Sequence, residues 1–272
     1  AFRSDGDTCL YNPLILDDRL EHLKWVKGAH ERGNLMWEDR DKKDKVIFTK
    51  NPNGRFYVFQ PPSDPNNVKF PRLDRPIPNN PLRYVIGVDP FDHDRTKNGH
   101  FSMGAAAVYK RYDSMDSSSE NFVCIYKGRP PHPYMFYEDM VMLSHWYGCW
   151  ILFEDQKIGI KRYFEDKDRM DFMMRNDKGE VGISASKGAH IDIVEETTIF
   201  IEQNGHRVMF ADLVNDWRNF DMDDTEDFDL GMASGYALIA NSRIRRVNEK
   251  RINKKTVGMG ALFPKFQIIK RR

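Results

Sequence analysis

The sequence is poor in cysteine and lacks the signatures of several protein classes. Its three cysteines, among 272 residues, are widely spaced and form no Cys-x-x-Cys pair. This argues against a zinc knuckle and indicates reduced thiols in an intracellular setting. No apolar run approaches the ~18 residues of a membrane span, and the N-terminus does not read as a signal peptide, so no membrane partner is predicted. The Gly-x-x-x-x-Gly-Lys-Ser/Thr loop of nucleotide-driven motors is absent as well.

The charge has almost no net sign but is unevenly distributed. There are 42 Lys and Arg against 41 Asp and Glu, so the formal net charge of +1 excludes no class of partner. Residues 221–229 read DMDDTEDFD, with six acids in nine positions. From Arg243 to the C-terminus there are eleven Lys or Arg and one acid, Glu249. This asymmetry predicts an electrostatic surface near the C-terminus.

Three parts are predicted along the chain. Residues 1–81 read as an appendage or linker, with helical apolar spacing at 13–30 and two β-rich runs around the Asn-Pro-Asn-Gly of 51–54, which is typical of a hairpin. Residues 82–242 form the main domain, and residues 243–272 form a basic tail. Because the sequence begins at Ala1 without an initiator methionine, we expect an excised piece of a longer protein.

The main domain is predicted to be an α/β domain. Strands at 83–89, 103–112 and 122–128 are joined by turn formers, which indicates an antiparallel meander. The remaining elements are a helix at 134–148, a strand at 150–155, a helix near 157–174, a short strand at 180–184, helices at 187–205, 211–220 and 228–242, and a short strand at 207–210. This order predicts a mixed sheet of three antiparallel strands and then parallel strands, with helices on both faces.

Three carboxylates stand at positions where such a fold brings distant segments together. Asp89 ends the first strand, Glu154 lies near the end of the strand at 150–155, and Asp229 opens a helix. If those two strands are neighbours, their ends lie side by side, and a helix packed across that end brings Asp229 to the same place. Converging acids repel one another unless a cation neutralises them. Oxygen ligands without thiols suit Mg²⁺ or Mn²⁺, and two such ions can clamp a phosphodiester.

Each acid also has a structural interpretation. Asp89, followed by Pro90, fits an ordinary turn acid. Glu154 in an apolar strand fits a buried carboxylate paired with Lys or Arg. Asp229 fits a helix-capping or first-turn acid. The joint case for a site is stronger than any single one, because the order of elements puts all three at one end of the sheet.

The stretches YVIGVDP, WILFEDQKIGIKRYFED and EDFDLGMASGYALIA together resemble one nuclease family. Asp on a first strand, Glu on a fourth and Asp on a late helix resembles the RNase H-like superfamily. More closely, the chain resembles the nuclease domain of the large terminase subunit of tailed double-stranded DNA phages. That domain shows Gly-hydrophobic-Asp-Pro in its first strand and a Glu five residues before a Gly, here Glu154 and Gly159. The likeness covers about residues 82–242.

The resemblance implies that Asp89, Glu154 and Asp229 are the catalytic metal ligands. The family commonly closes with two adjacent acids, whereas Phe228 here separates Asp227 from Asp229, so Asp227 is the alternative third ligand.

A further acid often precedes the second strand in this family, but this sequence has His100 near that place. Asp92, Asp94 and Asp155 are therefore nearby substitutes for an auxiliary ligand.

A nuclease also needs cations that neutralise phosphates. The candidate cations are Lys157, Lys161, Arg162, Lys187, Arg245 and Arg246. They could approach a nucleic-acid strand or merely balance acids. For Arg245 and Arg246 the alternative is that they belong to a solvated tail.

The resemblance implies a divalent-metal-dependent endonuclease that cuts double-stranded DNA during viral genome packaging, using two Mg²⁺ or Mn²⁺ ions. The implied partners are double-stranded DNA and, in the full-length protein, the viral portal and the small terminase subunit. The implied location is the host cell cytoplasm. Two alternatives stay open: another RNase H-like nucleotidyl transferase, such as a resolvase or transposase, and a non-catalytic module that grips DNA or a portal.

Overall fold

The computed structural model describes residues 9–72, 75–91, 103–176, 178–184, 186–221 and 225–260, without the side chains of 187, 226 and 246–260. The described residues form nine strands and six α-helices. The strands are β1 Glu31–Trp37, β2 Val46–Lys50, β3 Phe56–Val58, β4 Val68–Arg72, β5 Arg75–Pro78, β6 Tyr84–Asp89, β7 Gly104–Lys110, β8 Asn121–Gly128 and β9 Trp150–Phe153. The helices are α1 Pro13–Trp25, α2 Pro133–Tyr147, α3 Ile158–Asp166, α4 Lys187–Asn204, α5 Ala211–Asn219 and α6 Asp229–Gly260.

Seven strands form one mixed sheet in the order β2-β1-β3-β8-β7-β6-β9. β6, β7 and β8 are a consecutive antiparallel meander, and β9 pairs parallel to β6. Beyond β9 the described residues continue the sheet as isolated bridges, parallel for Ile151 with Met173 and Glu154 with Ile183 and antiparallel for Arg175 with Val181. The predicted α/β, RNase H-like arrangement of three antiparallel strands followed by a parallel one is confirmed, while the predicted strand at 180–184 is reduced to bridges.

The two faces of the central strands carry separate cores. Ile86 and Val88 of β6 pack with α2 on one face, whereas Val85 packs with α6 on the other. Because side chains alternate along a strand, Gly87 and Asp89 lie on the same face as Val85. Helices cover both faces, which explains why β6 is an almost unbroken apolar run rather than an alternating one.

Helix α6 lies directly on β6 at Gly87. A Cβ atom at Gly87 would overlap the Ala233 carbonyl oxygen and the Ala237 amide nitrogen. One layer further out, α4 crosses α6 where Ile193 packs over Gly235. Glycine at both crossings lets the sheet and the two helices approach more closely than side chains would permit.

The predicted hairpin at the Asn-Pro-Asn-Gly sequence is wrong. β2 and β3 both pair with β1, one on each side, instead of pairing with each other. The chain crosses from one side of β1 to the other where Gly54 packs on the backbone of Gly33. β3 then pairs with β8, so residues before position 82 extend the main sheet. The division of the chain into three parts therefore marks no break in the sheet, and it stays a prediction.

Three other helix and strand predictions need adjustment. α3 ends at Asp166 rather than near 174, because Asp168 adopts a left-handed conformation with φ 54° before a short 3₁₀ helix, Met170–Phe172. The predicted strand at 207–210 begins within a second 3₁₀ helix, Gly205–Arg207, and forms no strand. α6 continues past residue 242 to Gly260. None of the helices in the described residues combines the length and apolarity needed to cross a bilayer.

Candidate active site

Asp89 and Glu154 lie side by side at the ends of two parallel strands. Val88 of β6 pairs with Phe153 of β9, so Asp89 and Glu154 occupy the next position of each chain. Adjacent strands are ~4.8 Å apart, and in-register neighbours on parallel strands point to the same face. That face is the one covered by α6. Both residues are partly exposed at the rim of the sheet, whereas Val88 and Phe153 just before them are buried.

Helix α6 begins at the same rim. Ala233 packs on Gly87, and Asp229 lies one turn before Ala233, which puts both on the helix face toward β6. One helical turn is ~5.4 Å, and the two residues from Gly87 to Asp89 span ~6.6 Å. A contact further along α6 shows which way the helix runs over the sheet. Asn241 accepts a hydrogen bond from Arg111, the residue that follows β7. Asp229 therefore starts its helix at the level of Asp89.

Backbone contacts hold the Asp229 side chain in place. It is 7% exposed, and its Oδ2 accepts a hydrogen bond from the Met103 N–H at 3.0 Å. Met103 immediately precedes β7, the strand that pairs with β6. This contact ties the first residue of α6 to the edge of the sheet where Asp89 lies.

The buried hydroxyl of Tyr236 lies near several of the acids. Burial raises the pKa of its hydroxyl well above the usual range, and the negative charges of Asp89, Glu154 and Asp155 raise this pKa further. Three carboxylates are thus close enough to one buried hydroxyl to act on it electrostatically. Asp155 itself is exposed, and its N–H donates to the Ile183 carbonyl at 2.8 Å.

Sequence reasoning missed Asp216 and Lys127, which support this rim. Asp216 Oδ2 accepts from the N–H groups of Leu230 and Gly231, the first turn of α6, at 2.9 and 3.3 Å. Lys127 Nζ lies 3.8 Å from Asp216 Oδ1. Burial raises the Asp216 pKa, and the Lys127 charge opposes that rise. One sequence signal was present: Asp216 lies three residues after buried Leu213 and therefore falls on the apolar face of α5.

Lys127 also belongs to the row of residues that contains the acids. It pairs with Ala105 across β7 and β8, and Ala105 pairs with Asp89 across β6 and β7. Lys127 and Asp89 are therefore two strands apart, ~10 Å, on the same face. Ala105, between them, is fully buried.

The other predicted ligands are Asp227, Asp92 and Asp94, and none of them is shown to join the acids at the rim. Asp227 is an exposed residue at the end of the 3₁₀ helix Thr225–Asp227. Asp92 and Asp94 lie outside the described residues. Within the residues that the structure describes, no group of three His, Cys, Asp or Glu side chains is arranged to hold a metal ion. The all-oxygen donors Asp89 and Glu154 suit a hard cation chemically, but the assignment of the ligands stays a prediction.

The predicted DNA-binding cations fall into two groups. Lys157, Lys161 and Arg162 follow Glu154 in the turn and first part of α3, the latter two exposed, near the acidic rim. Arg245 is exposed but lies sixteen residues after Asp229 on one continuous helix, ~24 Å away. The side chains of Lys187 and Arg246 lie outside the described part. Contact with DNA stays a prediction for all six.

Comparison with known proteins finds a likeness of structure but none of sequence. No family model and no curated protein matches the chain. A solved structure, the large terminase nuclease from the thermophilic phage G20c, aligns with a TM-score of 0.43 at 12% identity, covering 84% of this chain and 96% of that one. At this level the likeness adds nothing to what the strand order shows about the fold.

Proposed function

We propose that the chain is a divalent-metal-dependent endodeoxyribonuclease that cuts double-stranded DNA during viral genome packaging. The observation that carries the proposal is the register of β6 and β9, which makes Asp89 and Glu154 neighbours at the rim where α6 starts. Two carboxylates at the ends of neighbouring strands suit the binding of hard cations better than they suit packing.

Each residue of the rim has a role in this proposal. Asp89 and Glu154 hold two Mg²⁺ or Mn²⁺ ions together with Asp229, which the Met103 N–H orients. When bound, such ions activate water and neutralise charge on the phosphodiester. Asp216 and Lys127 fix the start of α6, so that Asp229 keeps its position. Lys157, Lys161 and Arg162 bind phosphates of the DNA strand that enters the site.

Cleavage of supercoiled plasmid tests the proposal. With Mg²⁺ or Mn²⁺ present, the purified chain should nick and then linearise plasmid DNA with little sequence preference, because nothing in the rim suggests base recognition. Excess chelator should stop the reaction, and added metal should restore it. Cleavage that proceeds equally in chelator contradicts the metal mechanism.

A second candidate is a non-catalytic module that grips DNA or a portal. It is favoured by one observation, that no three potential ligands among the described residues form a metal cluster. Binding of DNA without cleavage under any metal would support it. Strong preference for four-way junctions or transposon ends would instead point to a resolvase-like or transposase-like enzyme of the same fold.

Partners and location belong to the same proposal. In the full-length protein we infer contacts with the viral portal and the small terminase subunit, and a location in the host cell cytoplasm. Co-purification of full-length protein with portal would support this part, and failure of the two to associate at micromolar concentration would contradict it.

A further inference from the structure

A cleft lies at the opposite end of the sheet from the acids. It has a volume of about 530 Å³ and is lined by residues 79–83 and 111–114. Asp89 pairs with Ala105, and Arg111 follows six residues later, ~20 Å along the strand. Asn241, which contacts Arg111, lies twelve residues after Asp229, ~18 Å along α6. Both paths put the cleft about 20 Å from the proposed cleavage site.

Arg111 is a partly buried cation whose hydrogen-bond partners are neutral. Its Nε donates to Asn241 Oδ1 and its Nη1 to the Leu82 carbonyl, both at 2.8 Å. Among the described residues no carboxylate forms an ion pair with Arg111. Burial lowers the pKa of Arg111, and the nearby charge of Arg245 lowers it further. A partly buried guanidinium without an anion, beside a second cation, is unfavourable until an anion arrives.

The rest of the cleft wall fits such an anion. Arg83 is half exposed, and its Nη1 donates to Ser63 Oγ at 2.9 Å. Asp113 lies 3.7 Å from Arg83 Nη2, which makes it the one acid among the residues that line the cleft. Tyr112, 69% exposed, presents an aromatic ring at the mouth. Arginine forks are well suited to the oxygen atoms of phosphate.

We propose that this cleft is a second ligand site, which binds a phosphate group between Arg111 and Arg83. The phosphate can belong to a nucleic-acid backbone or to a free nucleotide, since both present the same oxygen atoms. The site is independent of the proposed nuclease reaction, because it shares no residue with the acidic rim.

Calorimetric titration in excess chelator tests the site without metal at the rim. The probes are inorganic phosphate, deoxyadenosine monophosphate and a short blunt DNA duplex, each measured with the full chain. Arg111→Met should weaken binding by about tenfold, the loss expected when one charge-assisted contact is removed. Asp113→Asn should tighten binding about threefold, because it removes the acid that repels the anion. Arg75→Met, which alters an arginine paired with Asp171 instead, is the control and should leave binding unchanged.

The two variants are expected to change the affinity in opposite directions. This separates the expected result from misfolding, since a general loss of structure would not tighten binding. Thermal melting of each variant checks the fold. Tighter binding in Asp113→Asn for all three probes supports a site that recognises phosphate itself, and an effect on the duplex alone supports nucleic acid as its source. No binding of any probe, or binding that is unchanged in both Arg111→Met and Asp113→Asn, overturns the proposal.

Discussion

Replacing Gly87 with alanine should displace α6 from the sheet. The new Cβ atom would overlap the Ala233 carbonyl oxygen and the Ala237 amide nitrogen. Both obstacles are helix backbone, so no side chain can rotate away and the helix itself must move. We expect a loss of about 3 kcal/mol in unfolding free energy, at the upper end of the usual cost of overpacking. For a chain of this size that corresponds to a melting temperature roughly 6–12 °C lower.

The same shift should also impair cleavage. Asp229 is fixed to α6, so an outward movement of the helix separates Asp229 from Asp89 and Glu154. A misplacement of ~1 Å at a catalytic group costs about 100-fold in rate. Gly188→Ala is the matched control, because the atom nearest to a Cβ at Gly188 is Ser186 Oγ at 3.8 Å. It should stabilise α4 by ~0.5 kcal/mol.

Urea denaturation and plasmid cleavage below the melting temperature measure the two effects. If Gly87→Ala unfolds within ~0.5 kcal/mol of the parent chain and cuts at the parent rate, α6 is not seated on Gly87 and the placement of Asp229 at the rim fails.

Three further predictions follow from buried charge and from the tail. Burial lowers the pKa of His145 from 6.5 to about 4. As the pH drops across that interval the unfolded chain binds this proton first, so the free energy of unfolding should fall by about 3 kcal/mol. His145→Gln should remove this fall, and parallel curves of stability against pH for the variant and the parent would contradict the prediction. The Arg55 guanidinium lies 2.8 Å from Asp139 Oδ2. Asp139→Leu should lower the free energy of unfolding by about 3 kcal/mol, because it leaves this guanidinium without its anion. Adding Arg55→Met should recover much of the loss, whereas strictly additive effects would refute the pairing. A chain ending at Ser242 should bind duplex DNA more weakly and with a flatter salt dependence, since eleven cations are removed; equal affinity and slope would show that the tail is a spectator.

The central fold was predictable because its signals are local. Apolar runs of strand length, separated by turn formers, gave β6, β7 and β8, and the helix before β9 implied a crossover to a parallel neighbour. The pairing of β2 and β3 with β1 was not predictable from Asn-Pro-Asn-Gly, because a close contact between Gly33 and Gly54 outweighs the local turn preference. Long-range pairing of this kind leaves no periodic signal in the sequence.

The candidate site was predictable only in part. Asp89 and Glu154 stand out since carboxylates rarely end apolar strands, and their register follows once β9 is known to pair with β6. The support from Asp216 depends on backbone N–H groups of Leu230 and Gly231, fourteen and fifteen residues later in the chain. Such contacts are made by backbone N–H groups, which every residue except proline possesses, so side-chain identity does not reveal them.

Plasmid cleavage by Asp89→Asn and Glu154→Gln tests the central claim most directly. Both variants keep the shape of the side chain and remove its charge, and Glu165→Gln, at an exposed position of α3, is the matched control. We predict at least a ~100-fold loss of metal-dependent cleavage in each of the two, with the control unaffected. In metal-free buffer both variants should melt no earlier than the parent. Their free energy of unfolding should be ~1 kcal/mol higher, because one of several repelling acids is gone.

Asp229→Asn should behave like these two variants and Asp227→Asn like the control; the reverse would move the third ligand two residues upstream. Normal cleavage by Asp89→Asn and Glu154→Gln, or early melting of both in metal-free buffer, would show that the acids are structural and would contradict the assignment of a nuclease site to this rim.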